Sequence, residues 1–296
     1  MGCPDRVTTT SNPPVHPSIA VLGGTGRTGR RVADRLRSRG VDVRIGSRAG
    51  AVPFYWEKPG TWAPVLHECT AAYIAYGPDL THSGAVETIG AFAEQARRSR
   101  LKRLVLLSGR GEAEAHRAEE AVRAAGVPTA VIRSSVFAQN FSEHFLHGPV
   151  LDGVFAFPAG SVAEPFLDIE DLADVADWLL TAAEPSEVTL ELTGPRLLTF
   201  AEAAEELSAA LGRPVTYQPV SVAEFVEGAF DAGVPREQAE GLGAVFAQIF
   251  DGRNAYTTDT VERVLGRPAG DFTAYVRRAA TSGAWSLQDT PEVMFS

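Results

Sequence analysis

Apolar positions along the chain recur with two spacings, and the two take turns. The runs IAVLG, VDVRIG, VPFYW, AAYIAY, RLVLLS, TAVIRSS and VTLELTG, spread between Ile19 and Gly194, are short and β-rich. Between them lie stretches whose apolar residues return every three or four positions. In RTGRRVADRLRSRG, Val32, Ala33 and Leu36 fall on one side, and Gly40 supplies a C-terminal stop. GAVETIGAFAEQARRS and EAHRAEEAVRAAG behave alike. Strands alternating with amphipathic helices are the signature of a parallel sheet covered on both faces.

After LTGPRLLTF the character turns mostly helical. Thr199 with Glu202, and Ser221 with Glu224, have the spacing of capping boxes ahead of apolar-periodic runs. PREQAEGLGAVFAQIF and TDTVERVLG also read as helices. The expected class is α/β: a Rossmann-type doubly wound parallel sheet over residues 18–195, with a smaller, mainly helical substrate or lid region over 196–296. Residues 1–17 carry no apolar h-region and read as a flexible tail, neither secretory signal nor lipoprotein leader. Gly2 does not open a myristoylation motif, because Arg6 stands where Ser or Thr is needed.

Composition narrows the picture. The 296 residues are enough for one large core with a smaller lobe. Hydrophobic residues make up 45% and charged residues 22%, and no apolar run reaches the ~20 residues of a membrane span. Cys3 and Cys69 form neither a disulfide framework nor a zinc spacing, so a reducing cytoplasm is expected. A net charge of −10 argues against a nucleic-acid partner, while arginines clustered near 27–48 and 97–110 suit a small anion.

The sharpest local signal is GGTGRTG, after the first apolar run and opening the first helix pattern. Gly24, Gly26 and Gly29 fit G-x-G-x-x-G; Gly23, Gly26 and Gly29 fit G-x-x-G-x-x-G. Glycines there make the tight turn, admit a pyrophosphate to the backbone and let the helix pack closely. The helix N-terminus then offers unpaired N–H groups and partial positive charge. At the end of the second strand, where NAD-binding chains place an acid, this one has Gly46, Ser47 and Arg48, with Asp42 too early. A guanidinium binds a 2′-phosphate that a carboxylate repels, so NADP(H) is expected over NAD(H), with Arg27 as a second cation. A solvated surface arginine is the alternative for Arg48.

The Tyr-x-x-x-Lys pair of typical short-chain dehydrogenases is missing: no tyrosine lies between Tyr76 and Tyr217, and no lysine beyond Lys102. His116 is the ring acid/base candidate in its place, with an exposed helical histidine as the alternative. Without a positioned acid, acceptors whose hydride adduct is delocalised or neutral are favoured: a quinone, an enone or an iminium. In IRSSVFAQNFSEHF, Ser135, Val136 and Phe137 are expected near the nicotinamide. Phe137, Asn140 and Phe141 would begin a pocket for a flat apolar substrate, the Asn140 amide serving as a catalytic contact to an oxygen; helix-start packing is the alternative. His144 and His147 have metal-like spacing but no third ligand, so no metal is expected. Asp168 and Asp171 read as a helix cap and first-turn acid, with a general acid/base pair as the alternative.

The chain resembles the NmrA-like group of atypical short-chain dehydrogenase/reductases, which includes bacterial NADPH:quinone oxidoreductases. VLGGTGRTGRRV, VRIGSR, RLVLLSGRGE, AVIRSSVFAQNF, EPFLDIEDLADVA and ELTGPRLLTFAEA carry the resemblance, from about Ile19 to Trp285. It implies that Thr25, Gly26, Arg27, Thr28 and Gly29 hold the pyrophosphate, that Arg48 takes the 2′-phosphate, and that Tyr76, Gly77, Pro78 and Ser108 line the cofactor groove. Where some relatives keep a lysine, this chain has EAHRAEE. The expected function is NADPH-dependent reduction of a quinone or similar conjugated apolar acceptor in specialised metabolism. A non-catalytic NADP(H)-sensing regulator and a non-redox isomerase of the same fold are the alternatives. The partners expected are a small apolar or aromatic substrate, with a homodimer as an open alternative to the monomer, and neither nucleic acid nor membrane.

Overall fold

The computed structural model describes residues 18–77, 79–185 and 187–286; the N-terminal segment and Pro78 lie outside them. The first half runs β1 (Ser18–Leu22), α1 (Arg27–Ser38), β2 (Val43–Gly46), α2 (Trp62–Leu66), β3 (Cys69–Ile74), α3 (Ala85–Arg98), β4 (Arg103–Gly109), α4 (Ala113–Ala124) and β5 (Thr129–Ser134). Then follow α5 (Asn140–Glu143), α6 (His147–Asp152), β6 (Val154–Phe157), β7 (Ala163–Glu164), α7 (Ile169–Thr181) and β8 (Thr189–Leu192). The remainder is β9 (Leu198–Thr199), α8 (Phe200–Leu211), β10 (Thr216–Pro219), α9 (Val222–Asp231), α10 (Arg236–Ile249), α11 (Thr260–Leu265) and α12 (Phe272–Thr281).

The central sheet is parallel throughout, in the order β2-β1-β3-β4-β5-β8. Successive strand side chains point to opposite faces, and this chain fills both. Ala20, Leu22, Ile74, Leu104 and Leu106 pack against Ile89 and Phe92 of α3 and Val122 of α4. Ile19, Val21, Tyr73, Val105 and Ile132 pack against Val32 and Leu36 of α1 and Leu172 and Val175 of α7. Each large aliphatic side chain so buried contributes about 1.5–3 kcal/mol relative to exposure. The order reverses between β1 and β3, and ligands of such sheets bind outside the strands' carboxyl ends at that point.

Three expectations change. VPFYW is not a strand: only the Ser47–Pro53 bridge pairs it with the sheet edge. Pro53 has no N–H to extend a ladder, and Phe54 instead plugs the α3 layer, its ring 6.0 Å from that of Phe92. Second, residue 195 does not separate the two cores. The second core unites Phe141, Phe155, Phe157 and Phe166 with Phe200, Phe246, Phe272 and Trp285, and β6 pairs with β10 while β7 pairs with β9. The chain leaves the sheet after β5, builds part of the lobe, and returns through α7 and β8. Conversely Val261 of α11 packs in the α7 layer.

The third change concerns the arginine cluster. Arg31 pairs with Glu143 (2.6 Å) and Glu170 (2.5 Å), Arg35 with Glu170 (2.7 Å) and Asp174, and Arg30 with Glu143. These residues clamp α1 to α7 and α5 instead of facing an anion. The capping boxes at Thr199 and Ser221 form as expected, and Asp168 caps α7 by accepting from the Glu170 N–H at 3.0 Å. Among the described residues no helix is long and apolar enough to cross a membrane.

Candidate active site

The loop after β1 is closed to side chains. Gly23 turns the chain with φ +69°, and a Cβ there would lie 2.9 Å from the Ala75 carbonyl oxygen beyond β3. A Cβ on Gly24 would meet the Val21 carbonyl at 2.7 Å, and one on Gly29 would overlap the Gly23 carbonyl oxygen. These glycines bring α1 directly onto the loop. Helix α1 starts after Gly26 with no side-chain cap and no acid in its first turn, which leaves its first N–H groups and positive end to a ligand. Thr25 and Gly26 are exposed at the tip and Thr28 is buried beneath. This cradle fits a diphosphate.

Beside it, a cleft of about 530 Å³ is lined by Thr25, Arg44, Ile45, Ser47, Ala49 and Gly50. The Ser47 hydroxyl is buried with no hydrogen-bond partner among the described residues, so it too fits a bound polar group. Arg48 follows at the surface, exposed. Asp42 is engaged before β2, accepting from the Ser18 hydroxyl. Arg27 is not the second cation of that region. Its Nη1 donates to Asn140 Oδ1 at 2.6 Å and its guanidinium lies 5.8 Å from the Phe137 ring centroid, on the other side of the loop. Burial, reinforced by Arg30 and Arg31 and opposed by Glu143, lowers Arg27 to about 10, so it stays charged at neutral pH.

A second cavity near the loop, about 260 Å³, opens at the carboxyl ends of β4 and β5 and reaches into the lobe. It brings together Arg27, Tyr76, Ser108, Ser135, Val136, Phe137 and Asn140 from the sequence-derived set. Tyr76 is backed by Trp56, centroids 4.8 Å apart. The Ser108 hydroxyl donates to Glu119 Oε1 at 2.6 Å and that of Ser135 to the Pro165 carbonyl at 2.6 Å. Three candidates lie elsewhere. His116, on α4, and Gly77 do not line the cavity. Phe141 is fully buried among Phe155, Phe166 and Phe272, with centroids 5.3–5.8 Å away, so it packs the second core and is not a pocket wall. His147 is tied to the Ala284 carbonyl at 2.7 Å.

The lobe side of the cavity holds further polar groups, none of them in the sequence-derived set of catalytic, cofactor or substrate residues. Arg110, Glu112, His144, Glu164 and Asn254 all line it. Burial, with Arg27 acting the same way, holds His144 down to about 4, hence neutral. Burial and the nearby Asp79 push the Glu112 carboxyl up to about 7. Burial pushes Glu164 up to about 8, against the pull of Arg110. Two signals were present. Glu164 is the one charged residue between Asp152 and Asp168, in the apolar stretch GVFAFPAGSVAEPFL. Arg110 directly follows β4 at its carboxyl end, where ligands of such sheets bind. Asn254 had no signal.

No family model matches the chain. It is 31% identical over 281 residues to the uncharacterized oxidoreductase YesF of Bacillus subtilis, covering 90% of this chain and 96% of that protein. Triphenylmethane reductase of Citrobacter sp., solved with NADP(H), shares the fold with a TM-score of 0.72 at 23% identity, over 88% of this chain and 99% of that one. The NADPH-dependent quinone oxidoreductase QOR2 of Escherichia coli, solved with NADPH, does so at 0.72 and 19%, over 88% and 99%. NmrA, a negative transcriptional regulator, follows at 0.67 and 19%, over 92% and 100%. With its six-stranded Rossmann-type sheet, its glycine cradle and this kinship to an oxidoreductase over nearly its whole length, the chain belongs to the NmrA-like atypical short-chain dehydrogenase/reductases.

Proposed function

We propose that the protein is an NADPH-dependent reductase whose acceptor is a quinone or a comparable conjugated apolar molecule. The observation that carries this reading is the continuity of two places: the glycine cradle leads through Arg27 into a cavity with Tyr76, Phe137 and Phe145 on its walls. In this reading the N-terminus of α1 holds the diphosphate, and Ser47 and Arg48 take the ribose and its 2′-phosphate. Bound NADPH supplies a hydride. Ser135 and Val136 border its nicotinamide end, and the aromatic walls stack a flat acceptor and exclude water. Asn140, oriented by Arg27, offers its amide N–H to a polar edge of the acceptor. The relatives that carry the names of an oxidoreductase, a dye reductase and a quinone reductase agree with this assignment.

The likeness to a transcriptional regulator favours a second reading, a protein that binds NADP(H) and responds to it without turnover. Stopped-flow absorbance at 340 nm with a panel of quinones separates the two. The reductase reading expects NADPH oxidation that depends on acceptor concentration. Tight NADPH binding with no oxidation by any acceptor overturns it in favour of the regulator. A changed carbon skeleton with NADPH left intact would instead mark an isomerase.

A further inference from the structure

We propose that Arg110 and Glu164 form an oxygen subsite on the lobe side of the cavity, Arg110 holding a carbonyl oxygen of the acceptor and Glu164 delivering the proton that its reduction requires. The proposal rests on the reductase reading for its chemistry and on buried, unpartnered atoms for its location. Arg110 is 3% exposed, yet its Nε and Nη1 have no hydrogen-bond partner among the described residues. Glu164 is 1% exposed, and its Oε1 is likewise unpartnered. Both line the same cavity. Buried polar atoms of charged side chains are costly to leave without hydrogen bonds, and native structures retain few of them.

The arrangement is held in place from behind. The Arg110 guanidinium stacks 4.2 Å from the Tyr256 ring centroid, its Nη2 reaches the Tyr256 carbonyl at 3.4 Å, and its Nε is 3.7 Å from Glu191 Oε2. Asn254 donates to the Arg110 carbonyl at 3.2 Å, which fixes the backbone. Glu164 is held at its backbone by the pairing of β7 with β9. The unmade bonds then select the ligand's chemistry. A guanidinium donor beside a carboxyl that retains its proton suits an uncharged carbonyl oxygen that gains negative charge. It repels a cationic acceptor.

Conjugate reduction of a carbonyl compound adds one hydride equivalent, for which NADPH is the reductant, and one proton. The hydride's electron pair displaces the π electrons toward the carbonyl oxygen, which becomes the anionic centre facing Arg110. The O–H bond of Glu164 breaks and an O–H bond forms on the acceptor oxygen. The negative charge is left on Glu164 beside Arg110, and solvent returns the proton. The other titratable groups lining the cavity are Arg27, Tyr76, Asp79, Glu112 and His144. Of these His144 is neutral, and burial raises the Glu112 carboxyl in the same direction as that of Glu164, so it is the E164Q variant that assigns the proton.

The test uses the full chain with saturating NADP⁺, read by quenching of tryptophan fluorescence on titration with 1,4-naphthoquinone, with a cationic triphenylmethane dye lacking oxygen as the contrast. R110M is expected to bind the naphthoquinone at least 10-fold more weakly and the dye no more weakly, with NADP⁺ affinity within twofold. R110K, which keeps the charge and serves if R110M does not fold, should fall between. E164Q is expected to bind the naphthoquinone within threefold, to lose at least 100-fold in kcat with NADPH, and to lose the fall in kcat above about pH 8. Equal naphthoquinone affinity in wild type, R110M and R110K overturns the oxygen subsite. Undiminished kcat in E164Q overturns the proton assignment. A wild type that binds the naphthoquinone but never oxidises NADPH overturns the reductase reading alone, and the Arg110 binding ratios still decide the subsite.

Discussion

At the β1–α1 end of the cleft, a ligand meets backbone N–H groups from one short loop, Gly23 to Gly29. At the lobe end it meets side chains: Arg110 after β4, Glu164 in β7, and Asn254, which lies 144 residues beyond Arg110. The first end is polar because helix geometry leaves N–H groups unspent. The second is polar because charged side chains have been buried in an apolar lobe, and that sets their protonation. One end is therefore indifferent to pH near neutrality, while the other should respond to it.

Four measurements bear on that contrast. The largest effect is expected from Phe141→Ala, which removes a ring from the centre of the second core. Denaturant unfolding should report a loss of about 3–5 kcal/mol. NADPH affinity should change little, because the cradle is built on the other core. A loss of NADPH binding in the folded variant would show that the two ends are one unit.

Next comes pH. Glu164 has its carboxyl raised by burial to about 8 in the folded state, so the native protein holds a proton that the unfolded chain releases near 4–5. Its contribution is fully present below the unfolded value and is lost as pH rises through the folded one. The wild type should lose stability from roughly pH 5 to pH 8, by on the order of 2–4 kcal/mol from this group. His144, held down to about 4, acts in the opposite sense between its folded value and 6.5. The informative quantity is therefore the difference between wild type and E164Q in thermal melts across that range. A difference that stays flat would remove Glu164 from the titrating set.

Gly29→Ala tests the other end. Its Cβ would overlap the Gly23 carbonyl oxygen, forcing helix and loop apart. Calorimetry should show NADPH binding weakened about 100-fold, equivalent to ~2.7 kcal/mol. Unchanged binding would mean the diphosphate lies elsewhere. The smallest effect is expected from Arg48→Asp at an exposed position. NADPH affinity should fall about 10-fold, or ~1.4 kcal/mol, and that for NADH should not fall. Equal losses for both nucleotides would sink the 2′-phosphate assignment.

Much of the sheet was legible because its strands are apolar on both faces and its helices on one, and each pattern is local. The capping boxes at Thr199 and Ser221 were readable for the same reason: donor and acceptor lie three residues apart. VPFYW misled because apolar character shows that a segment is buried, not that its backbone is paired. Phe141 misled in a related way. The sequence placed it one residue beyond Asn140, but α5 points Asn140 at the cavity and Phe141 into the aromatic cluster.

What the amino-acid order decided alone is the glycine-loop end: a tight turn, a glycine-packed helix start and the residues after β2, all set by backbone preferences over a few neighbours. What only the folded chain decided is the lobe end, where β6 must find β10 and β7 must find β9 before Arg110 and Glu164 share a cavity. Burial, which leaves Arg110 Nη1 and Glu164 Oε1 without hydrogen bonds and shifts the Glu164 proton, is a property of that packing and has no counterpart in any short window of sequence.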